Sequence, residues 1–191
     1  MPQQITKNFS FYEFGPHGAG VSWMPEFVLR SKMVELLASQ LQVVRDEIGV
    51  PMVITRGVTT LEDQQRLINK GYFPSPTSDH FFGASVPLDP SNKKYPLVGP
   101  SYNFAVGAAD CVPKNIAIRN FFASAVKLNE SKKCQFGQII YEYNPATHAE
   151  WVHFGNDPSA FFSPMVTSIV GRSKYMQSLD GGKTYQVFTP T

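Results

Sequence analysis

The stretch Phe136-Gly-Gln-Ile-Ile-Tyr-Glu-Tyr-Asn-Pro-Ala-Thr-His-Ala-Glu-Trp-Val-His-Phe154 decides the fold class of this chain. Its runs 136–143 and 150–154 are rich in β-branched and aromatic residues, which favour strands. Pro145 and its polar neighbours are typical of a turn between the two runs. The stretch therefore predicts two strands in the second half of the chain.

Helical patterns precede this stretch in the chain. Apolar residues recur at three- and four-residue spacing over 31–48 and again over 115–128, which predicts two main helices. A capping-box pattern at 60–63 opens a shorter helix that stops at Gly71. The apolar run 51–55 predicts a buried strand. We expect an α+β domain in which two main helices pack on a small antiparallel sheet.

The remaining segments complete the expected organisation. Residues 1–30 are predicted to form a lead-in, and 31–163 the main domain. Residues 164–191 are predicted to carry a C-terminal hairpin around Asp180-Gly181-Gly182. Residues 72–109 are rich in proline and predict a long loop, and a loop of this length inside a compact domain is usually functional.

Composition limits the possible functions. The chain has 191 residues, which suits one domain, and its 42% hydrophobic content is enough for a normal core. The net charge of +2 does not favour nucleic-acid binding, and the short apolar runs predict no membrane span. The N-terminus shows no signal peptide. The two cysteines, Cys111 and Cys134, exclude a four-cysteine zinc site and leave open free thiols or a disulfide.

The segment His148-Ala-Glu150-Trp-Val-His153 is not the helical HExxH motif of metalloproteases. That motif needs its histidines four positions apart on a helix, whereas these two are five apart in a predicted strand. On an ideal strand, Glu150 and His153 point to opposite faces, because their separation is odd. Both can serve one site only if Glu150 lies in the preceding turn or at a bulge.

Three residues in separate motifs could together bind a metal ion. His80, Asp110 and His153 would supply two imidazoles and one carboxylate, and a catalytic zinc site uses three protein ligands with one open position. On spacing alone, however, Asp110 is better interpreted as a loop carboxylate that caps the next helix.

The motifs Ser78-Asp-His80-Phe-Phe-Gly83, Ala108-Ala-Asp110 and Glu150-Trp-Val-His153 occur in the order of a known family. They resemble the zinc D-alanyl-D-alanine carboxypeptidases, which have a hedgehog/DD-peptidase-like fold and include many phage lysins. The resemblance extends over nearly the whole chain, and phage-encoded members are the most similar. It implies a Zn²⁺ ion on His80, Asp110 and His153.

The same resemblance implies roles for the remaining site residues. Glu150 is expected to act as the general base, and Glu142 is the alternative if hydrolysis survives the loss of Glu150. His148 is expected to donate a hydrogen bond to the oxyanion, with an exposed loop residue as the alternative interpretation. We expect contacts to substrate from three further residues, Arg56, Ser78 and Trp151.

The chain departs from the family pattern at two places. The family has its first histidine and its aspartate seven positions apart, whereas His80 and Asp110 are thirty apart, so an insertion of about 23 residues, 84–106, divides the motif. Asp89 within it is a rival ligand to Asp110. The family's substrate-binding arginine corresponds to Thr59, and Arg56 lies three positions earlier.

The resemblance implies a zinc peptidase that cleaves peptide stems or cross-links of bacterial peptidoglycan. Without a visible signal peptide, we expect a phage-encoded lysin that is part of the virion or is released to the host periplasm and cell wall. The alternative is a structural protein of the phage tail or baseplate, with tail proteins as partners and reduced or no activity. A bacterial carboxypeptidase would need a separate export route.

Overall fold

The computed structural model describes residues 3–15, 28–59, 61–75, 78–81, 106–161 and 174–190. Predicted features that fall elsewhere lie outside the described residues: Thr60 of the capping box, the insertion 84–106 except Val106, and the rival ligand Asp89. Three α-helices are present in the described part, α1 (Val28–Ile48), α2 (Leu61–Asn69) and α3 (Ile118–Glu130). The three predicted helices are therefore confirmed, with ends shifted by a few residues.

The strands of the described part form one six-stranded sheet. They are β1 (Met52–Arg56), β2 (Ala108–Pro113), β3 (Phe136–Asn144), β4 (Ala149–Asn156), β5 (Tyr175–Ser178) and β6 (Gln186–Val187). Their order across the sheet is β1-β2-β4-β3-β5-β6. The α+β class is confirmed.

The sheet is mixed rather than purely antiparallel as expected. Strand β5 runs parallel to β3, whereas the other neighbouring strands in the described part are antiparallel. Strand β4 returns the chain to the end of the sheet at which β3 begins, and β5 starts beside β3 from that same end. No short-range pattern in the sequence indicates that β5 pairs with β3.

Strand β2 lies where the sequence predicts a loop. It begins with Ala108 and Ala109, which carry none of the β-branched or aromatic signal that identifies a strand. Its side chains from Ala108 to Cys111 are buried, so small residues are accommodated between neighbouring layers. The position of β2 matters for the site because it carries Asp110.

The hydrophobic core lies between the helices and one face of the sheet. Helix α1 contributes Leu37 and Leu41, α3 contributes Phe121, and the sheet contributes Ile139 and Phe154. The N-terminal lead-in also belongs to the core through three buried phenylalanines, Phe9, Phe11 and Phe14. Helices α1 and α3 therefore cover this face, and the opposite face remains for the site.

The C-terminal hairpin forms where it is predicted, with β5 and β6 as its arms. The carboxylate of Asp180 accepts hydrogen bonds from the backbone N–H groups of Lys183 and Thr184 and from the Thr184 hydroxyl. The turn is anchored to the body of the domain, because Gly181 donates to the Tyr143 carbonyl at 3.0 Å and accepts from Phe73 at 3.4 Å.

Both cysteines, Cys111 and Cys134, are free and buried. Among the described helices, none is long and apolar enough to cross a membrane.

Candidate metal centre

The structure brings three of the predicted ligand residues together from three separate elements. His80 lies in a short 3-10 turn (Asp79–Phe81), Asp110 in β2 and His153 in β4. Asp110 and His153 are direct cross-strand partners. Asp110 Oδ1 lies 3.2 Å from His80 Nε2 and 3.0 Å from His153 Nδ1, and the two ring nitrogens are 3.2 Å apart. All three side chains are buried.

The turn that carries His80 is held from both sides. The backbone of Thr59 donates to the His80 carbonyl at 2.9 Å, and Gly107 donates to the Asp79 carbonyl at 3.1 Å. The Ser78 hydroxyl accepts from the His80 backbone N–H at 3.3 Å. These contacts join the turn to the end of β1 and to the start of β2, so the imidazole has a fixed position over the sheet.

The protonation pattern of the cluster favours a shared cation. His80 Nδ1 lies 2.7 Å from the Gly57 carbonyl, which can only accept, so Nδ1 carries the proton and donates it. In a neutral ring, His80 Nε2 then presents a lone pair to the carboxylate of Asp110. Two acceptors facing each other need a positive partner, which is either a proton on His153 Nδ1 or a metal ion. A metal-binding histidine commonly donates its other N–H to a backbone carbonyl, as His80 does here.

The distances agree with a metal site. In a tetrahedral zinc site with bonds of about 2.05 Å, ligand atoms lie roughly 3.3 Å apart. The three separations observed here, 3.0–3.2 Å, are close to that value. Within the described part of the chain, His80, Asp110 and His153 are the group that could hold a metal ion. These residues therefore fit a divalent cation such as zinc.

The electrostatics of the cluster keep its ligands in the required states. Burial lowers the pKa of His80, which favours the neutral ring. Burial alone would raise the pKa of Asp110, but the neighbouring imidazoles of His80 and His153 hold it well below its usual range. Burial opposes the charged form of His153, yet the hydrogen bond and charge of Asp110 raise its pKa. The metal-free cluster therefore keeps a proton on His153, and a metal ion would replace it.

A second carboxylate, Glu142, faces the same side of the sheet. It lies on β3 opposite Trp151, and His153 is two positions farther along β4. The side chain is buried and receives a hydrogen bond from the Tyr185 hydroxyl. Burial and the negative charge of Asp110 raise the pKa of Glu142 to about 7, although His153 and Arg56 oppose the shift.

The structure does not bring Glu150 to the cluster. Strand β4 is regular from Ala149 to Gly155, so alternation sends Glu150 to the face opposite His153. There its carboxylate accepts a hydrogen bond from the Tyr141 hydroxyl, and the Tyr141 ring packs against Arg119 and α3. The bulge that Glu150 would need to reach the metal ligands is not present.

His148 also lies away from the cluster. It is an exposed residue of the turn between β3 and β4, with a positive φ of 55°. Its Nδ1 is 3.0 Å from the Tyr143 hydroxyl, and Tyr143 points to the same face as Glu150. The alternative interpretation of His148 as an exposed loop residue agrees with this placement.

The three residues predicted to bind substrate have different surroundings. Arg56 pairs with Asp110 across β1 and β2, and its guanidinium donates to the Thr59 hydroxyl and to Gln64, each at 3.0 Å. The guanidinium therefore contacts the side chain of Thr59, three positions farther along the chain. Trp151 lies on the cluster side, 6.2 Å from the Tyr72 ring, and its buried Nε1 has no hydrogen-bond partner among the described residues. Ser78 contacts the backbone of the turn rather than an open space.

The sequence indicated Glu142 only as an alternative base, and it did not indicate Tyr185. A carboxylate inside the apolar run 136–143 was the available signal for Glu142, because alternation places it on the side of His153. Tyr185 could not be predicted, since it reaches Glu142 only through the docking of the C-terminal hairpin.

Comparison of the chain with protein-family models, with curated proteins and with solved structures gives no match.

Proposed function

We propose that this protein is a zinc-dependent peptidase that cleaves peptide stems or cross-links of bacterial peptidoglycan. One observation carries the proposal: two imidazole nitrogens and a carboxylate oxygen converge within 3.0–3.2 Å of one another in a buried site. Two neutral histidines and one carboxylate leave a net positive charge on a divalent ion, as in zinc hydrolases. The order of the three motifs in the sequence supports peptidoglycan as the substrate class.

A zinc ion held by these residues would acidify a water molecule and polarise the scissile carbonyl. The chain's own residues supply the remaining requirements. Arg56 brings a fixed positive charge beside Asp110, where it can attract a substrate carboxylate. The unpartnered Nε1–H of Trp151 can donate to a peptide carbonyl on the same face. Tyr72 packs beside Trp151 and adds a second aromatic ring next to this donor.

A lysin encoded by a phage, either free or attached to the virion, is the setting that we propose for this activity. Peptidoglycan stems contain carboxylates and amide bonds, which match the charge of Arg56 and the donor of Trp151.

Incubation with purified muropeptides, with and without a chelator, tests this function. We expect cleavage that stops after chelation and returns on addition of zinc, with the products identified by mass spectrometry. Asp110→Asn is the matched control, because it keeps the size of the side chain and removes the charge that binds the ion. Cleavage that is insensitive to the chelator and to Asp110→Asn would refute the proposal.

A further inference from the structure

The two glutamates near the cluster lie on opposite faces of the sheet. Antiparallel pairing places Ile140 opposite His153 and Glu142 opposite Trp151. Because side chains alternate along a strand, Glu142, Trp151 and His153 share one face. A residue two positions along a neighbouring strand is a diagonal neighbour at about 7–8 Å between Cα atoms. One water molecule between the carboxylate of Glu142 and the cluster can span such a gap.

Contacts from three elements fix the position of the Glu142 side chain. The Tyr185 hydroxyl, which belongs to the C-terminal hairpin, donates a hydrogen bond to its carboxylate. The turn before Tyr185 is itself anchored to β3 through Gly181 and the Tyr143 carbonyl. Arg56 on β1 and His153 on β4 attract the carboxylate electrostatically. The carboxylate is thus held on the face of the sheet that carries the cluster.

We propose that Glu142, rather than Glu150, is the proton-transferring carboxylate of this site, and that Tyr185 is a positioning residue that holds it. This assignment rests on the proposed peptidase function and names the group that completes it. It also gives the C-terminal hairpin a role in the site, although the hairpin lies beyond all three motifs in the sequence.

The step balances with water and the peptide as the reactants. Glu142 accepts a proton from the attacking water as the water oxygen forms a bond to the scissile carbonyl carbon. The carbon–nitrogen bond then breaks, and Glu142 delivers the same proton to the leaving amine nitrogen. The products are a carboxylic acid and an amine, and Glu142 returns to its ionised form. Glu150 cannot take part in this transfer, because the sheet lies between its carboxylate and the cluster.

The decisive experiment compares Glu142→Gln with Glu150→Gln in the full chain. Both variants remove one negative charge and keep the side-chain size, and they differ in the face of the sheet. Muropeptide cleavage and the zinc content of each protein after dialysis are measured together. We expect Glu142→Gln to lose about 10²- to 10⁴-fold in rate while it retains zinc, and Glu150→Gln to stay within severalfold of the wild type.

The outcomes separate this assignment from the proposed function. Cleavage by the wild type that survives Glu142→Gln, or that is lost in Glu150→Gln, would overturn the assignment and leave the peptidase intact. A wild type that binds zinc but cleaves no muropeptide would overturn the function and the assignment with it. If Glu142→Gln fails to fold, Glu142→Asp withdraws the carboxylate by one methylene group. It is then expected to lose about 10²-fold in rate with zinc still bound, and unchanged activity would contradict the assignment.

Tyr185→Phe tests the positioning role separately. It removes the hydroxyl and keeps the ring, so the carboxylate of Glu142 loses its donor without a change in packing. We expect kcat to fall about tenfold, with KM and zinc content unchanged, since a hydrogen bond to a charged group is worth about that factor. An unchanged kcat, or a rise in KM alone, would show that Tyr185 does not position Glu142.

Discussion

Replacement of Glu142 by glutamine is expected to stabilise the metal-free protein at alkaline pH but not at acidic pH. Burial and the charge of Asp110 raise the pKa of Glu142 from 4.5 to about 7 in the folded protein. As the pH rises above 4.5, the unfolded chain releases this proton while the folded protein retains it, so the free energy of unfolding falls. The loss is complete above pH 7. At 1.36 kcal/mol for each pKa unit, it amounts to about 3 kcal/mol.

The assay is urea denaturation of chelator-treated protein at pH 5 and pH 8, followed by tryptophan fluorescence. Glutamine cannot ionise, and its amide oxygen can still accept the hydrogen bond from Tyr185. The difference in free energy of unfolding between Glu142→Gln and the wild type should therefore be about 2–3 kcal/mol larger at pH 8 than at pH 5. Glu150→Gln is the control, because it makes the same chemical change at a half-buried carboxylate on the opposite face of the sheet. An equal difference for Glu142→Gln at both pH values would refute the reasoning.

Three further predictions test other parts of the structure. Zinc affinity should rise about tenfold per pH unit below the raised pKa of His153, because the metal must displace the proton that this ring shares with Asp110. Titration against a competing chelator at pH 5 and pH 6 measures the affinity, and equal affinities at the two pH values would contradict the prediction. Gly57→Ala should lower the free energy of unfolding by about 1–3 kcal/mol, since its Cβ would lie 2.4 Å from the Phe14 carbonyl oxygen. It should also weaken zinc binding, because the clash displaces the Gly57 carbonyl that His80 contacts. An unchanged urea midpoint would count against this packing. Cys134, whose pKa burial raises to about 11, should react with a thiol reagent at pH 8 only after denaturation, and rapid labelling of the native protein would show that the packing of Cys134 against α1 is wrong.

Local patterns in the sequence were enough to predict most of the fold. The apolar spacing of α1 and α3 and the aromatic runs of β3 and β4 each specify an element without reference to the rest of the chain. Strand β2 was not predicted, because Ala108 and Ala109 have no strand preference. Pairing with β1 and β4 imposes the extended conformation on this strand. The parallel placement of β5 beside β3 depends on long-range pairing, which no local pattern encodes.

For the candidate site, the sequence predicted the three residues of the cluster but misplaced Glu150. The motif order indicated His80, Asp110 and His153, and the structure brings their ligand atoms together across the cross-strand pair of Asp110 and His153. The prediction for Glu150 required a bulge, and the regular pairing of β4 with β3 supplies none. Simple alternation already argued against Glu150, and the same alternation selects Glu142.

The displacement of the arginine shows why spacing alone was misleading. In the sequence, Arg56 lies three positions before Thr59, which suggests a lost contact. In the structure, the chain bends after β1, and the long side chain of Arg56 reaches back to the Thr59 hydroxyl at 3.0 Å. The contact between Arg56 and Thr59 is therefore visible only in three dimensions.

Anomalous diffraction at the zinc absorption edge, from crystals of the zinc-treated protein, tests whether His80, Asp110 and His153 bind zinc. We expect one strong peak within about 2.0–2.2 Å of His80 Nε2, Asp110 Oδ1 and His153 Nδ1, and no such peak for Asp110→Asn. A peak elsewhere with these three side chains still hydrogen-bonded to one another, or a peak that persists in Asp110→Asn, would contradict it.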